Sequence, residues 1–262
     1  MSHLPLIIVA GKAGSGKDTA AEHIALNYNA GRIALADPMK RATKQLFGFT
    51  DEQLWGPSEF RNQEVRPSGL VFPESDTIKR LAAEFVDEME LRDPRVAAAK
   101  LDAWFWGLVV KAEGNKGLIS ARVVLQTLGT EWGRSIDKNM WVNYAIKASR
   151  TLLVGNASYT RVDGLQLGTG INYDYVVITD GRFRNEVCGV AAVNGVSFRV
   201  LRHVADTKTV GIAGHQSEKE LDGVPKHFYT DTILNDFSLQ HMYDQVDTNM
   251  AVHFGDDRVL RK

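Results

Sequence analysis

Gly11-Lys12-Ala13-Gly14-Ser15-Gly16-Lys17-Asp18-Thr19 stands between an apolar run and the first helical pattern, and it restricts the fold more than any other segment. The run before it, LPLIIVA (Leu4 to Ala10), is short and rich in branched residues, which favours a buried strand. From Lys17 onward Ala20, Ile24 and Tyr28 recur four apart, which favours a helix. A G-x-x-x-x-G-K frame arises by chance in roughly 7% of chains this long. Its place in a strand-to-helix turn makes a chance origin much rarer. The glycines let backbone N–H groups converge on a polyphosphate, the helix start adds its positive dipole end, and Lys17 supplies a mobile cation. The bland alternative is a glycine-rich turn with no ligand. Gly11, Ala13, Gly14, Ser15, Gly16, Lys17, Asp18 and Thr19 are therefore the phosphate-binding candidates. Asp18 occupies the position where a Ser or Thr would hold magnesium, and the hydroxyl follows one residue later at Thr19. Thr19 and Asp18 are the metal candidates; Asp18 either approaches the metal through water or simply caps the helix.

Further along, RIALA (Arg32 to Ala36) reads as a second strand. A helix then starts near Asp37, with Asp as N-cap, Pro38 in the first turn and Gly48 as the stop. From Thr77 to Gly114 two helical patterns are split at Asp93-Pro94, and ARVVLQTLGTEWGRSI reads as a further helix. YDYVVITD (Tyr173 to Asp180) is the clearest later strand, followed by VSFRVLRH and YTDTILND. Strands alternating with helices imply an α/β fold with a mainly parallel sheet and helices on both faces. A length of 262 residues allows one large or two small domains. Lys plus Arg total 31 against 32 Asp plus Glu, which excludes a general polyanion binder; neither nucleic acid nor membrane is an expected partner. The lone Cys188 cannot make an internal disulfide and fits a reducing cytosol. The chain carries no long apolar run and no signal-peptide pattern.

Three more constellations carry chemistry. Asp180-Gly-Arg182-Phe-Arg184-Asn185-Glu186 lies at the C-terminal end of a buried strand, the edge where open α/β sheets bind ligands. A carboxylate there can hold hydrated magnesium or orient a phosphate, and a guanidinium fork matches phosphate oxygens bidentately. Arg182 and Arg184 alternate, so at most one is expected at the ligand; a capping aspartate with solvated arginines is the alternative. Arg122, Gln126 and Thr130, at i, i+4 and i+8, form one polar stripe on a helix otherwise filled by Val124, Leu125 and Leu128. With Trp132 nearby, the stripe suits a nucleobase and its phosphate, though a solvated helix face has the same spacing. Asp37 and Lys40, after the second strand, suit phosphate or sugar contacts, and a capped surface helix explains them equally well.

The segments GKAGSGKDTAAE, ALADPMKRATKQLFGFTDEQLWG, LQTLGTEWGRSIDKNMWV, VVITDGRFRNEV and HQSEKELD together resemble the deoxynucleoside monophosphate kinases of tailed bacteriophages. The resemblance implies a single three-layer domain over 1–262 with the P-loop nucleotide kinase fold. It implies transfer of the ATP γ-phosphoryl to a deoxynucleoside monophosphate with Mg²⁺, in the host cytosol if the chain is phage-encoded. Small-molecule nucleotides are then the partners. Gly11 to Thr19 would bind the donor, with Lys17 catalytic. Arg122, Gln126, Gly129, Thr130, Trp141, Asp180, Arg182 and Glu186 would form the acceptor and catalytic side. Against that family the chain is longer in two places. Residues 69–116 form a helical insert carrying the apolar run Trp104 to Val110, a core segment or a homodimer contact. Residues 155–172 form a flexible polar loop. A kinase of another small metabolite, such as dephospho-coenzyme A, and a nucleotide-binding switch are the rival readings.

Overall fold

Strand β1 is Leu6–Ala10, and every residue in it is buried. Such a run, apolar on both faces, belongs inside a parallel sheet covered on both sides. With β2 (Ala30–Ile33), β7 (Tyr175–Gly181), β8 (Val196–Leu201) and β9 (Asp231–Leu234), it forms a five-stranded sheet of order β2-β7-β1-β8-β9. Every pairing in that sheet is parallel. The computed structural model describes residues 4–12, 14–68, 75–89, 91–155, 159–160, 166–167, 170–203 and 220–256. The chain divides into two compact units. The first comprises Met1–Leu35, Ala145–Arg161 and Leu165–Lys262; the second comprises Ala36–Tyr144 and Val162–Gly164.

The first unit holds the sheet. The pleat sends Ile7 and Val9 to one face, where they pack with Ala20 and Ile24 of α1 (Lys17–Asn27). Met242, Val246 and Met250 of the last helix, Leu239–Phe254, close the same cluster. Ala10 points the other way, onto Val187 of the helix Arg184–Ala192. Helices therefore flank the sheet on both faces, as the alternating pattern implied. Asp247 ties the last helix to α1: its carboxylate accepts a bond from the Tyr28 hydroxyl at 2.8 Å and pairs with His23 at 2.7 Å.

The second unit is helical. It contains α2 (Asp37–Phe47), α3 (Asp51–Trp55) and α4 (Ser58–Asn62), then the short antiparallel pair β3 (Glu64–Val65) and β4 (Ile119–Ser120). The helical insert is present as α5 (Ser75–Met89) and α6 (Pro94–Gly114), split at Asp93, whose side chain caps α6. Next come α7 (Ala121–Thr127), a π-helical turn at Leu128–Gly133 and α8 (Arg134–Ile136). Its core is aromatic: Phe47 stacks on Phe105 at 5.7 Å, and Phe85 meets Trp132 edge-on at 5.4 Å. Trp104 and Phe105 are buried, whereas Trp106 is 47% exposed, so the apolar run is core on one side of α6 only.

Four local expectations are revised. Strand β2 ends at Ile33, before Ala36. Asp37 is the first helical residue and is buried, while Ala36 takes the cap position without a side-chain bond. The single helix expected through Ala121 to Ile136 is interrupted by the π-turn, which accommodates Gly129 and Gly133 against bulky neighbours. Gly133 is the sharper case, since a Cβ there would sit 2.3 Å from the Trp141 ring. Of the loop 155–172, β5 (Tyr159–Thr160) pairs antiparallel with β6 (Gln166–Leu167), and most of the remainder lies outside the described residues. So do 69–74 and 90 of the insert, and most of HQSEKELD.

Candidate functional site

In the first unit, Ala10 of β1 lies opposite Gly181 of β7, and the Gly11 N–H bonds the Gly181 carbonyl at 3.3 Å. The loop after β1 and the Asp180 segment therefore leave the same edge of the sheet. Gly14 has φ 77° and Gly16 has φ 93°, left-handed conformations that cost an L-residue with a Cβ about 1–2 kcal/mol. At Gly16 a Cβ would also fall 2.4 Å from Asn235 Nδ2. Gly16 is the N-cap of α1 and provides no side-chain cap, an arrangement that suits an anion at the helix start. Lys17 is 4% exposed, and its ammonium lies 3.4 Å from the Lys12 carbonyl, folded over the loop. The Ser15 hydroxyl is buried and has no hydrogen-bond partner among the described residues, a group that a ligand oxygen would satisfy. Ala13 lies outside the described residues.

Asp18 is 66% exposed at its side chain, 4.0 Å from the Lys17 ammonium, and Thr19 is half-buried. Among the described residues no group of three or more His, Cys, Asp or Glu could hold a metal by itself. A hydroxyl and an exposed carboxylate are hard oxygen donors. They fit a magnesium ion that reaches the site on polyphosphate oxygens and keeps most of its water.

Asp180 Oδ1 accepts the Leu35 N–H at 2.7 Å, fixing the segment that follows β2. Glu186 is 4% exposed, and its Oε2 accepts the N–H groups of Arg182 at 2.7 Å and Phe183 at 2.9 Å. Its carboxylate thus shapes the turn that presents Asp180 and Arg182. The two arginines separate as alternation requires: Arg182 is half-buried, while Arg184 is exposed and lies 4.1 Å over the Phe228 ring. Sequence reasoning missed Asn235, whose amide donates to the Ser15 carbonyl at 2.9 Å, and Arg202, which reaches the Gly14 carbonyl at 3.5 Å. Both act about two hundred residues away along the chain, so no local pattern points to them.

In the second unit, Arg122 and Gln126 lie one turn apart on α7. The Arg122 guanidinium donates to Ser58 Oγ at 3.1 Å, and Arg61 donates to the same oxygen at 3.3 Å. Oε1 of Gln126 and Nε1 of Trp55 are buried with no hydrogen-bond partner among the described residues. Each such orphan costs about 1–3 kcal/mol until something fills it. Ser58, Arg61 and Trp55 were not singled out in the sequence; the 64 residues between Ser58 and Arg122 hide the convergence.

The other candidates here are inward-facing. Thr130 Oγ1 donates to the Gln126 carbonyl at 2.7 Å, its register changed by the π-turn. Trp132 is fully buried and donates its N–H to the Ala97 carbonyl at 3.0 Å. Trp141, 4% exposed, donates to the Gly129 carbonyl at 3.1 Å. Trp132 therefore has no accessible face for a base to stack on; its ring is committed to the core. Asp37 and Lys40 are also buried, which removes the surface-helix reading of that pair. Lys40 points its ammonium at the Trp55 ring, 5.9 Å from the centroid. Arg41 bonds both Glu88 and, at 3.1 Å, the Tyr144 hydroxyl. Burial pushes the Tyr144 phenol up to about 12, with the Arg41 charge opposing that rise and Glu88 adding to it.

A five-stranded parallel sheet flanked by helices, its first strand feeding a glycine-rich loop and a helix start, defines an α/β fold of the P-loop kinase type. No family model matches the chain. The chain is 24% identical over 250 residues to a protein of Acanthamoeba polyphaga mimivirus named "Putative deoxynucleotide monophosphate kinase". The match covers 92% of this chain and 93% of that protein, a distant similarity along nearly the whole length. Among the described residues no helix is long and apolar enough to cross a membrane.

Proposed function

We propose that the chain transfers the γ-phosphoryl of ATP to a deoxynucleoside 5′-monophosphate, giving ADP and the deoxynucleoside diphosphate. The observation that carries this reading is the loop Gly11 to Thr19, with left-handed glycines, a buried Lys17 and an uncapped α1, at the sheet edge shared with Asp180. The full-length similarity to a kinase-named relative supports the choice of acceptor.

In this mechanism Lys17 and the loop amides hold the β- and γ-phosphates of the donor. Thr19, with Asp18 through water, would hold magnesium, which when bound would neutralise charge on those phosphates. An oxygen of the acceptor phosphate attacks the γ-phosphorus as the bond to the β–γ bridging oxygen breaks, and ADP leaves. The attacking oxygen is already anionic near neutral pH, so no general base is needed. Phosphoryl transfer then asks chiefly for positioning and charge compensation. Arg122 binds the acceptor phosphate, Arg182 offsets charge on the transferring group, and Asp180 and Glu186 fix the turn that carries Arg182. Gln126 meets the acceptor's base with its orphan oxygen. Gly129, Thr130 and Trp141 support α7 and its π-turn, and Asp37 and Lys40 line the start of α2.

Phosphorus NMR of ATP, Mg²⁺, the protein and a panel of deoxynucleoside monophosphates tests this. The γ-signal of ATP should be replaced by the signals of ADP and a deoxynucleoside diphosphate. Release of inorganic phosphate alone would make the chain an ATPase-type switch. An unchanged spectrum with every nucleotide, alongside turnover of dephospho-coenzyme A, would move it to the other kinase class.

A further inference from the structure

We infer that Asn235 is a positioning residue of the donor site, turning the Ser15–Gly16 peptide so that its N–H faces the donor's phosphates, an inference that rests on the kinase reading above. The residue follows β9, and three sets of bonds fix the chain around it. The Asn235 N–H donates to the Leu201 carbonyl, at the end of β8, at 2.8 Å. Gln245 of the last helix accepts the Leu234 N–H at 2.9 Å and donates to the Leu234 carbonyl at 2.8 Å. Asp236 accepts the His203 N–H at 2.6 Å and bonds the imidazole of the same residue. The Asn235 side chain therefore reaches the phosphate loop from a braced backbone.

Its amide donates to the Ser15 carbonyl at 2.9 Å. The approach is possible because Gly16 has no side chain; a Cβ there would fall 2.4 Å from Asn235 Nδ2. A trans peptide is planar, with its C=O and N–H on opposite edges. With the Ser15 carbonyl turned to Asn235, the Gly16 N–H faces away from Asn235, into the span of the loop. A bond at the carbonyl also polarises the peptide and strengthens that N–H as a donor. Arg202 reaches the preceding carbonyl, that of Gly14, at 3.5 Å, so side chains from the ends of β8 and β9 hold two successive carbonyls of the loop. The Ser15 hydroxyl, buried with no partner among the described residues, lies against Gly11, where a Cβ would fall 2.4 Å from Oγ. It thus sits between the two ends of the loop. A backbone N–H presented with a hydroxyl and the Lys17 ammonium suits a polyphosphate chain rather than a base or sugar. Asn235 should accordingly act on ATP and on inorganic tripolyphosphate alike.

The test compares wild type with Asn235→Ala and Asn235→Gln, each checked first for a wild-type circular dichroism spectrum. Calorimetry gives dissociation constants for ATP with Mg²⁺ and for tripolyphosphate, and steady-state rates give the KM of the monophosphate that turns over best. Losing the one bond that selects a peptide orientation lowers the competent fraction of the loop by about two- to tenfold, and apparent affinity falls by the same factor. Asn235→Ala should therefore weaken ATP and tripolyphosphate by that factor, with the monophosphate KM changed by less than about twofold. Asn235→Gln, which keeps an amide donor, should recover part of the loss. In the nitrogen-15 spectrum of wild type the Gly16 amide should shift on addition of ATP, and the shift should shrink in Asn235→Ala. Unchanged affinities in Asn235→Ala, with turnover intact, overturn the positioning role and leave the kinase reading standing. Weakened ATP with unchanged tripolyphosphate overturns it too, because Asn235 then acts on the nucleoside. ATP binding to wild type without turnover of any monophosphate removes the kinase reading alone, and the two affinities still decide the role of Asn235. Absence of ATP and tripolyphosphate binding to wild type removes both.

Discussion

Replacing Gly16 by alanine should report directly on how the phosphate loop is built. The residue has φ 93°, so any Cβ costs about 1–2 kcal/mol in the left-handed region. That Cβ would also fall 2.4 Å from the Asn235 amide nitrogen. The amide is the end of a flexible side chain, so it should swing away and give up its 2.9 Å bond to the Ser15 carbonyl, worth about 1 kcal/mol. Gly16→Ala should therefore lower stability by about 2–3 kcal/mol, the backbone and lost-bond terms together. Asn235→Ala alone loses only the bond, about 1 kcal/mol. In the double variant the bond can be lost only once, so the total should stay at about 2–3 kcal/mol rather than rise to the sum of the two single effects. Urea denaturation of the four proteins measures this, read from the midpoints where the slopes agree. Strict additivity of the two substitutions, or a Gly16→Ala variant as stable as wild type, would refute the contact and the conformation together.

Other consequences follow from the buried polar groups. Glu186→Ala strips an acceptor from two backbone amides and should cost about 3 kcal/mol, with turnover falling as Arg182 loses its support, whereas Glu186→Gln should keep most of the stability; thermal melts and steady-state rates separate the two. The Tyr144 phenol, pushed up to about 12 by burial, binds its proton more tightly folded than unfolded, so its contribution is complete below pH 10 and is lost as pH rises toward 12. Between pH 9 and pH 11 wild type should lose on the order of 1 kcal/mol more than Tyr144→Phe in urea titrations, and equal losses would contradict the assignment. Trp132→Phe should destabilise the fold by at least about 1 kcal/mol while leaving the monophosphate KM unchanged; a large KM rise with stability intact would return that ring to the substrate.

Features governed by local rules were legible in the sequence. The strand-loop-helix at Gly11 to Thr19 is visible because a fully apolar strand, positive-φ glycines and a helix start each leave their own mark within a few residues. The parallel sheet follows from strands alternating with helices, and Gly48 ends its helix in the left-handed conformation, as a stop signal should. Positions set by tertiary packing did not show. Arg122 and Gln126 stand out by spacing, but their neighbours Arg61 and Ser58 come from a different helix with no pattern of its own. Trp132 has the same sequence context whether it stacks on a ligand or fills a core, and the surrounding Phe85 and Trp141 decide for the core. The π-turn is similarly invisible, because Gly129 and Gly133 are selected by the close approach of Met39 and Trp141.

The central claim is that Lys17 and its loop hold a donor whose phosphoryl passes to a nucleoside monophosphate. The most direct test is a coupled ADP-release assay with ATP and Mg²⁺ against dTMP, dGMP, dCMP, dAMP and their ribose counterparts, run with wild type and Lys17→Met. The expected result is turnover with at least one deoxynucleoside monophosphate, dependent on Mg²⁺, that falls by orders of magnitude in a Lys17→Met protein still folded by circular dichroism. ATP binding without turnover of any monophosphate, or near-normal turnover by Lys17→Met, would contradict it.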